Sequence, residues 1–140
     1  MKDLNVDIRL VNQKVQFAAV SGENPGRPLT LDYVPPVGDG QGFAGLELLL
    51  MSFCGCVSTA VVALLRRSGS VAGYEAHAAG IREENPLSLK KIVFSVKVLS
   101  DDLEAANVEK ALCVASNISP VWLAIKGNVE VETGYSLFTP

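Results

Sequence analysis

Apolar and polar residues alternate along the first part of the chain. In residues 4–10 the apolar side chains fall at every second position, which places them on one face of an extended strand. They are Leu4, Val6, Ile8 and Leu10. Residues 14–20 form a second strand-like run, and the polar Asn12-Gln13 pair between the two runs predicts a β-hairpin. Residues 28–33 are typical of a third strand, and a loop rich in glycine and proline follows.

A long apolar segment over residues 46–67 predicts a helix. It is apolar on most sides, which is typical of a helix at the centre of a domain. Arg66 and Arg67 suit its C-terminal end by charge, and Gly69 suits its stop. Because Glu47 and several small or hydroxylated residues interrupt the apolar run, we interpret it as a buried helix rather than a membrane span.

The second half of the chain predicts two more strands, over residues 74–83 and 89–99, joined by a turn at Asn85-Pro86. Asp101-Asp102 is expected to open a second helix, because acidic residues stabilise a helix N-terminus. A closing strand lies within residues 122–135. The order βββ-α-ββ-α-β predicts an α+β fold with a largely antiparallel sheet, in a single domain over residues 1–140.

Composition changes this picture in two ways. The chain is 49% hydrophobic and 19% charged, and this apolar excess predicts one large core or a buried subunit interface. The net charge of -3 disfavours a nucleic-acid or anionic-membrane partner. The first residues lack the continuous apolar stretch of a signal peptide, so we expect a cytoplasmic protein.

The cysteines are the candidate reactive groups. Cys54, Cys56 and Cys113 are an odd number, which predicts free thiols rather than a disulfide framework. Cys54 and Cys56 are separated by a helical rotation of roughly 200°, so they can neither bridge nor pair well on a metal. His77 is the only histidine, which excludes a multi-histidine site within one chain. We therefore expect no metal and no cofactor.

Two stretches of sequence carry a resemblance to a known family. Residues 42–56, GFAGLELLLMSFCGC, resemble the signature of the OsmC/Ohr family of hydroperoxide-handling proteins, in which a glutamate opens a helix and a reactive cysteine follows nine positions later. Glu47 and Cys56 stand at that spacing. Residues 119–121, Ser-Pro-Val, followed by 126–132, KGNVEVE, are similar to the family's C-terminal signature, a Cys-Pro-Val step before a strand.

The resemblance implies an OsmC-like fold, in which two chains intertwine as a homodimer and curved antiparallel sheets surround long central helices. It also implies an oxidative stress response function. A cysteine, here Cys56, reduces an organic hydroperoxide and becomes a sulfenic acid, a second cysteine resolves it to a disulfide, and a dithiol restores it.

Two departures from the family pattern bear on this expectation. Ser119 stands where the family has its second cysteine, which removes the internal disulfide step. Gly45 replaces a proline before the signature glutamate, which loosens the entry to the helix. Cys113 is the other possible resolving thiol, but it lies six residues before Ser119, roughly 9 Å away along a helix.

The residues that activate Cys56 are predicted from chemistry and from the resemblance together. Cys56 lies roughly two to three turns inside its helix, so a cation or hydrogen-bond donors must stabilise its thiolate. Glu47 is either a first-turn acid that stabilises the helix or a carboxylate that orients an arginine over the thiolate. It lies roughly 13 Å from Cys56 along the helix, so a shared site requires two subunits. Arg27 is the preferred arginine and Arg9 the alternative, and either is equally consistent with a solvated surface residue.

Three functions remain open from the sequence. The first is a one-cysteine thiol peroxidase in which an external thiol reductant resolves the sulfenic acid. The second is a non-catalytic redox sensor or small-ligand-binding protein, which the serine at position 119 favours. The third is a hotdog-type thioesterase, which also wraps an antiparallel sheet around a helix, but its element order differs and the Glu47–Cys56 motif has no role there.

Overall fold

The computed structural model describes residues 2–140 and has the predicted α+β class. By its internal contacts the chain divides after Leu48 into two compact units. The first contains β1 (Val6–Leu10), β2 (Phe17–Ser21) and β3 (Leu29–Leu31), and α1 (Gly45–Ser68) begins in it. The second contains the rest of α1, then β4 (Gly73–Glu83), β5 (Ser88–Leu99), α2 (Ala105–Ile118), α3 (Pro120–Ile125) and β6 (Glu130–Phe138).

The N-terminal unit is an antiparallel sheet in the order β1-β2-β3. The predicted hairpin is confirmed, with Val6 opposite Ser21 and Leu10 opposite Phe17. The second strand begins later than predicted, because the side chain of Asn12 accepts hydrogen bonds from the backbone N–H groups of Lys14 and Gln16 and so extends the turn.

One buried carboxylate organises the loop that follows β3. Asp32 is 5% exposed, and it accepts hydrogen bonds from the backbone N–H groups of Tyr33, Asp39 and Gln41. The bond from Gln41 is the main cause that lowers the pKa of Asp32, and burial opposes it. Gly38 is required here because a Cβ at that position would collide with Asp32 and with the backbone of Tyr33.

The core of the C-terminal unit lies between α1, β5 and α2. One stripe of α1 is fully covered, and it consists of Phe53, Val57, Val61 and Leu65. Alternate side chains of β5 complete the core from the sheet, namely Ile92, Phe94, Val96 and Val98. Helix α2 contributes residues at helical spacing, namely Val108, Ala111, Leu112 and Ala115.

Helix α1 is also long and apolar enough to cross a membrane by length and composition alone. The core helix of a globular protein meets the same two criteria. The ring of Phe53 packs edge-on against Phe94 of β5, with centroids 5.5 Å apart. The helix therefore makes the sheet contacts that the sequence predicts for a central helix.

One strand pair of the C-terminal unit differs from the largely antiparallel sheet that the sequence predicts. Strand β4 pairs antiparallel with β5, but β6 pairs parallel with β5 over its whole length. A parallel neighbour requires a crossover, and here α2 and the short α3 form it. Helix α3 was not predicted. It occupies the start of the segment that the sequence assigned to the closing strand.

The predicted start of α2 at the acidic pair is wrong by a few residues. The helix begins at Ala105, and Asn107 accepts a hydrogen bond from the backbone N–H of Glu104 at its N-terminus. Asp102 instead accepts hydrogen bonds from the backbone N–H and hydroxyl of Ser70 and from the hydroxyl of Ser100. These bonds connect the segment after α1 to the end of β5. The Asp102 carboxylate accepts from these nearby donors rather than from the N-terminus of the helix.

Candidate functional site

Cys56 and Ser119 form the one direct polar contact that the structure makes between the two signature stretches. The Ser119 hydroxyl donates a hydrogen bond to the Cys56 sulfur over 3.2 Å. Cys56 is half-buried, whereas Ser119 is 1% exposed. The reactive cysteine that the sequence predicts therefore has a fixed donor beside its sulfur, and that donor is the residue that replaces the family's second cysteine.

The backbone around Ser119 explains how the hydroxyl comes to face α1. Ser119 ends α2, and its N–H donates to the carbonyl of Ala115. It also begins α3, with Pro120 in the first turn and its own carbonyl accepting the N–H of Leu123. Serine at a helix start usually bonds the helix backbone through its side chain, but this side chain makes no such bond. The hydroxyl is directed to sulfur instead.

An aromatic cluster supports this contact. Trp122 of α3 packs against Phe53 of α1, with ring centroids 5.3 Å apart and planes tilted by 55°. Phe53 in turn packs against Phe94 of the sheet. Phe53 lies three residues before Cys56, and Trp122 three residues after Ser119, so the cluster holds the two backbones together. Trp122 is 8% exposed and so belongs to the core.

Cys54 lies in a different environment on α1. Burial raises the pKa of the Cys54 thiol, and the hydroxyl of Ser58 opposes this shift only in part. The same hydroxyl accepts a hydrogen bond from Tyr74 over 2.9 Å, and burial raises the pKa of Tyr74 as well. A thiol that is disfavoured as a thiolate is a weak nucleophile, so the environment of Cys54 fits a structural role rather than a reactive one.

Cys113 is exposed on α2 and makes no contact that would resolve Cys56. It lines a cleft of about 470 Å³ between α2 and β6. In this cleft the hydroxyl of Tyr135 donates to Glu109 over 2.6 Å, and this bond raises the pKa of Tyr135. Trp122 also lines this cleft.

The Glu47 carboxylate and the backbone of Arg27 have their hydrogen-bond partners within the N-terminal unit. The Glu47 carboxylate accepts a hydrogen bond from the backbone N–H of Ala44 over 2.9 Å, which stabilises the start of α1. Arg27 is exposed after β2, and within residues 2–140 its guanidinium has no hydrogen bond or ion pair. Arg9 is exposed on β1, opposite Ala18. The roles predicted for Glu47 and Arg27 at the thiolate stay predictions.

Two further features bear on the chemistry. Among residues 2–140 no group of three or more histidine, cysteine or acidic side chains could hold a metal ion. Helix α3 was not predicted, although Ser119-Pro120 carries the signal for it, since serine before a helix and proline in its first turn are typical start residues. That signal would have placed Ser119 at a sharp bend between helices.

Comparison with known proteins gives a consistent picture of the fold. The family described as OsmC-like protein matches residues 38–134, which is more than half of the chain. No curated protein matches the sequence. The predicted resemblance is thereby confirmed at the level of the family.

Solved structures with the same fold cover almost the whole chain. An OsmC-like protein from Mycoplasma pneumoniae is 19% identical, with a TM-score of 0.81 over 98% of each chain. A hypothetical protein from Aquifex aeolicus is 18% identical, with a TM-score of 0.84 over 100% of this chain and 99% of the other. An organic hydroperoxide resistance protein from Legionella pneumophila is 15% identical, with a TM-score of 0.77 over 97% and 98%. These likenesses establish the OsmC-like fold.

Proposed function

Because the chain belongs to the OsmC-like family, we propose that it is a thiol-dependent peroxidase of the one-cysteine type that reduces organic hydroperoxides. Cys56 is the reacting residue, and an external thiol is the reductant. The observation that carries the proposal is the hydrogen bond from Ser119 to the half-buried Cys56 sulfur. It places a donor at the thiol that the family motif designates and leaves no second thiol at that position.

In the proposed reaction the peroxide oxidises Cys56, and two external thiols then reduce it again. The Cys56 thiolate attacks one peroxide oxygen, an S–O bond forms and the O–O bond breaks. The alkoxide that leaves takes up a proton to become an alcohol, and the sulfur, oxidised by two electrons, becomes a sulfenic acid. One external thiol then condenses with the sulfenic acid to give a mixed disulfide and water. A second external thiol releases Cys56 and leaves as a disulfide.

The proposal includes a homodimer, and two observations support it. Much of α1 outside its covered stripe is apolar and only half-buried or exposed. The apolar row of β1 is exposed as well, with Val6 at 73% and Ile8 at 59%. Exposed apolar surface of this kind is typical of a protein interface. In such a dimer Glu47 and Arg27 of one chain complete the site at the Cys56 of the other, and Arg27 stabilises the thiolate.

The test is the oxidation of Cys56 by an organic hydroperoxide such as cumene hydroperoxide, followed by stopped-flow kinetics and mass spectrometry. We expect Cys56 to be sulfenylated first and Cys56→Ser to lose peroxide consumption altogether. Cys113→Ser is the matched control and should consume peroxide at the wild-type rate. Oxidation of Cys54 or Cys113 before Cys56 would reject the assignment.

A redox sensor or small-ligand-binding protein is the second candidate, and the serine at position 119 favours it. Without an internal resolving thiol, a sulfenic acid at Cys56 persists until another molecule reaches it. A sensor and a peroxidase differ in turnover. If Cys56 is oxidised once per chain and added thiols give no continuing peroxide consumption, the sensor is the better description.

A further inference from the structure

We infer that Ser119 is a catalytic residue in its own right, the hydrogen-bond donor that stabilises the Cys56 thiolate. The inference rests on the proposed function of Cys56 as the reacting thiol. It gives Ser119 a function of its own. The resemblance alone implies only that the internal disulfide is lost at this position.

The Ser119 hydroxyl lacks the hydrogen-bond partner that is usual at the start of a helix. Ser119 stands at the start of α3, where a serine hydroxyl normally bonds the helix backbone and contributes about 1 kcal/mol to stability. The Ser119 hydroxyl makes no bond to that backbone, and its hydrogen-bond partner is the Cys56 sulfur. The fold therefore directs a hydroxyl away from its ordinary partner and toward the reactive atom.

Ser119 is also buried. At 1% exposure, Ser119 has no access to solvent that could compete for its hydroxyl proton. A buried hydroxyl requires a partner, and a bond to an ionised partner is stronger than one to a neutral partner. The contact is therefore stronger to a Cys56 thiolate than to the neutral thiol.

A serine at position 119 differs in its chemistry from the cysteine of the family pattern. A cysteine at position 119 would be consumed when it attacks the sulfenic acid. A serine hydroxyl cannot form a disulfide, so it remains a donor before and after oxidation. Ser119 thus cannot resolve the Cys56 sulfenic acid within the chain, but it remains a hydrogen-bond donor throughout. An external thiol must then reduce the oxidised sulfur.

The test measures the thiol without any peroxide. In a Cys54→Ala, Cys113→Ser background, the thiolate of Cys56 is followed by its ultraviolet absorbance and by its rate of alkylation with iodoacetamide across a range of pH. Ser119→Ala removes the donor. Ser116→Ala is the control, because Ser116 lies on α2 and its hydroxyl bonds the Cys113 carbonyl over 2.6 Å.

We expect Ser119→Ala to lower the thiolate population about tenfold at pH values where the thiolate is the minor form, as for the loss of one hydrogen bond to a charged group. Alkylation then slows by less, about threefold, because a thiolate without a donor is intrinsically more nucleophilic. At alkaline pH, where both proteins are ionised, the variant should react faster than wild type. This crossing of the two rate profiles is the signature of a donor.

Several results would overturn the assignment. Identical profiles would mean that the hydroxyl only fills space. A variant that is slower at every pH would indicate misplaced packing, and one that is faster at every pH would indicate better access to the sulfur. If the alanine variant fails to fold, Ser119→Gly removes the same donor, and Ser119→Thr, which keeps a hydroxyl, should match wild type. Normal alkylation chemistry without peroxide turnover would reject the peroxidase proposal and leave this inference intact.

Discussion

The two units of this chain differ in how much of their apolar surface is buried within the unit. In the C-terminal unit, α1, α2, α3 and the sheet cover one another, and every buried apolar side chain among residues 2–140 lies in this unit. Among residues 2–48, which the structure describes of the N-terminal unit, the buried residues are Asp32 and Gly38. Its strands are hydrogen-bonded and regular, but the apolar row on β1 is exposed.

This difference shows what each unit needs in order to be stable. Helix and sheet faces that pack together stabilise a fold from within, whereas a three-stranded sheet with an exposed apolar row depends on another surface to cover it. The Cys56–Ser119 contact lies in the unit with its own core, so the reacting sulfur is held by well-packed neighbours. The predicted partners Glu47 and Arg27 lie in the unit without one.

The strongest test of the comparison is a matched pair of truncations. Phe53→Ala should lower the free energy of unfolding by about 3–5 kcal/mol, because it removes a fully buried ring. Because the proposed homodimer covers the apolar row of β1, the cost of Ile8→Ala should rise with protein concentration, from no more than about 0.5 kcal/mol where the chain is monomeric. Denaturant unfolding at several protein concentrations measures both. A large, concentration-dependent cost for Ile8→Ala would show that a partner covers the row.

The second test places a charge in the same row. Ile8→Asp should dissociate the proposed homodimer, because a carboxylate buried without a partner is strongly disfavoured. Analytical ultracentrifugation at micromolar concentration measures the result. Asp7→Asn, on the other face of β1, is the control and should leave the dimer intact. A wild-type protein that is a stable folded monomer at this concentration would exclude the dimer.

The third test concerns the C-terminal unit and is smaller in scale, since it changes one bond. Ser119→Cys should form a disulfide with Cys56 after oxidation, because the atom it replaces already lies 3.2 Å from the sulfur. Free thiols are counted under denaturing conditions after treatment with an organic hydroperoxide. The variant should lose two thiols and the wild type should form no internal bridge. A Cys56–Cys113 disulfide in wild type would contradict the prediction.

The smallest expected effect is an acid-dependent change in the N-terminal unit. The backbone donors around Asp32 hold its pKa below the ordinary value of 3.8. The unfolded chain therefore takes up the proton first as pH falls. The stability that this carboxylate contributes is fully present above 3.8 and is lost as pH falls through the lower, folded value.

Nuclear magnetic resonance can follow this loss at the amide protons of Asp39 and Gln41, which bond the carboxylate. Both should titrate with a common midpoint below 3.8. In Asp32→Asn that transition should disappear, while the core of the C-terminal unit is unaffected. A midpoint at or above the ordinary value would mean that the carboxylate does not organise the loop.

Local patterns were sufficient for most elements of this fold. Strict alternation in residues 4–10 and the long apolar run after residue 45 carry their own periodicity, so strand and helix follow from neighbours in sequence. Gly69 and the two arginines before it mark the end of α1 correctly. The spacing of Glu47 and Cys56, with Ser-Pro-Val far along the chain, was enough to identify the family.

The sequence by itself therefore determined the α+β class, the order of most elements and the identity of the thiol to examine. Only the tertiary structure decided the parallel pairing of β6, the bend at Ser119 and the partner of its hydroxyl. Each of these depends on residues distant in sequence, and no local preference encodes which distant group a side chain will meet. Ser119 could have capped α3 or bonded water. The packing of Trp122 on Phe53 brings it to Cys56 instead.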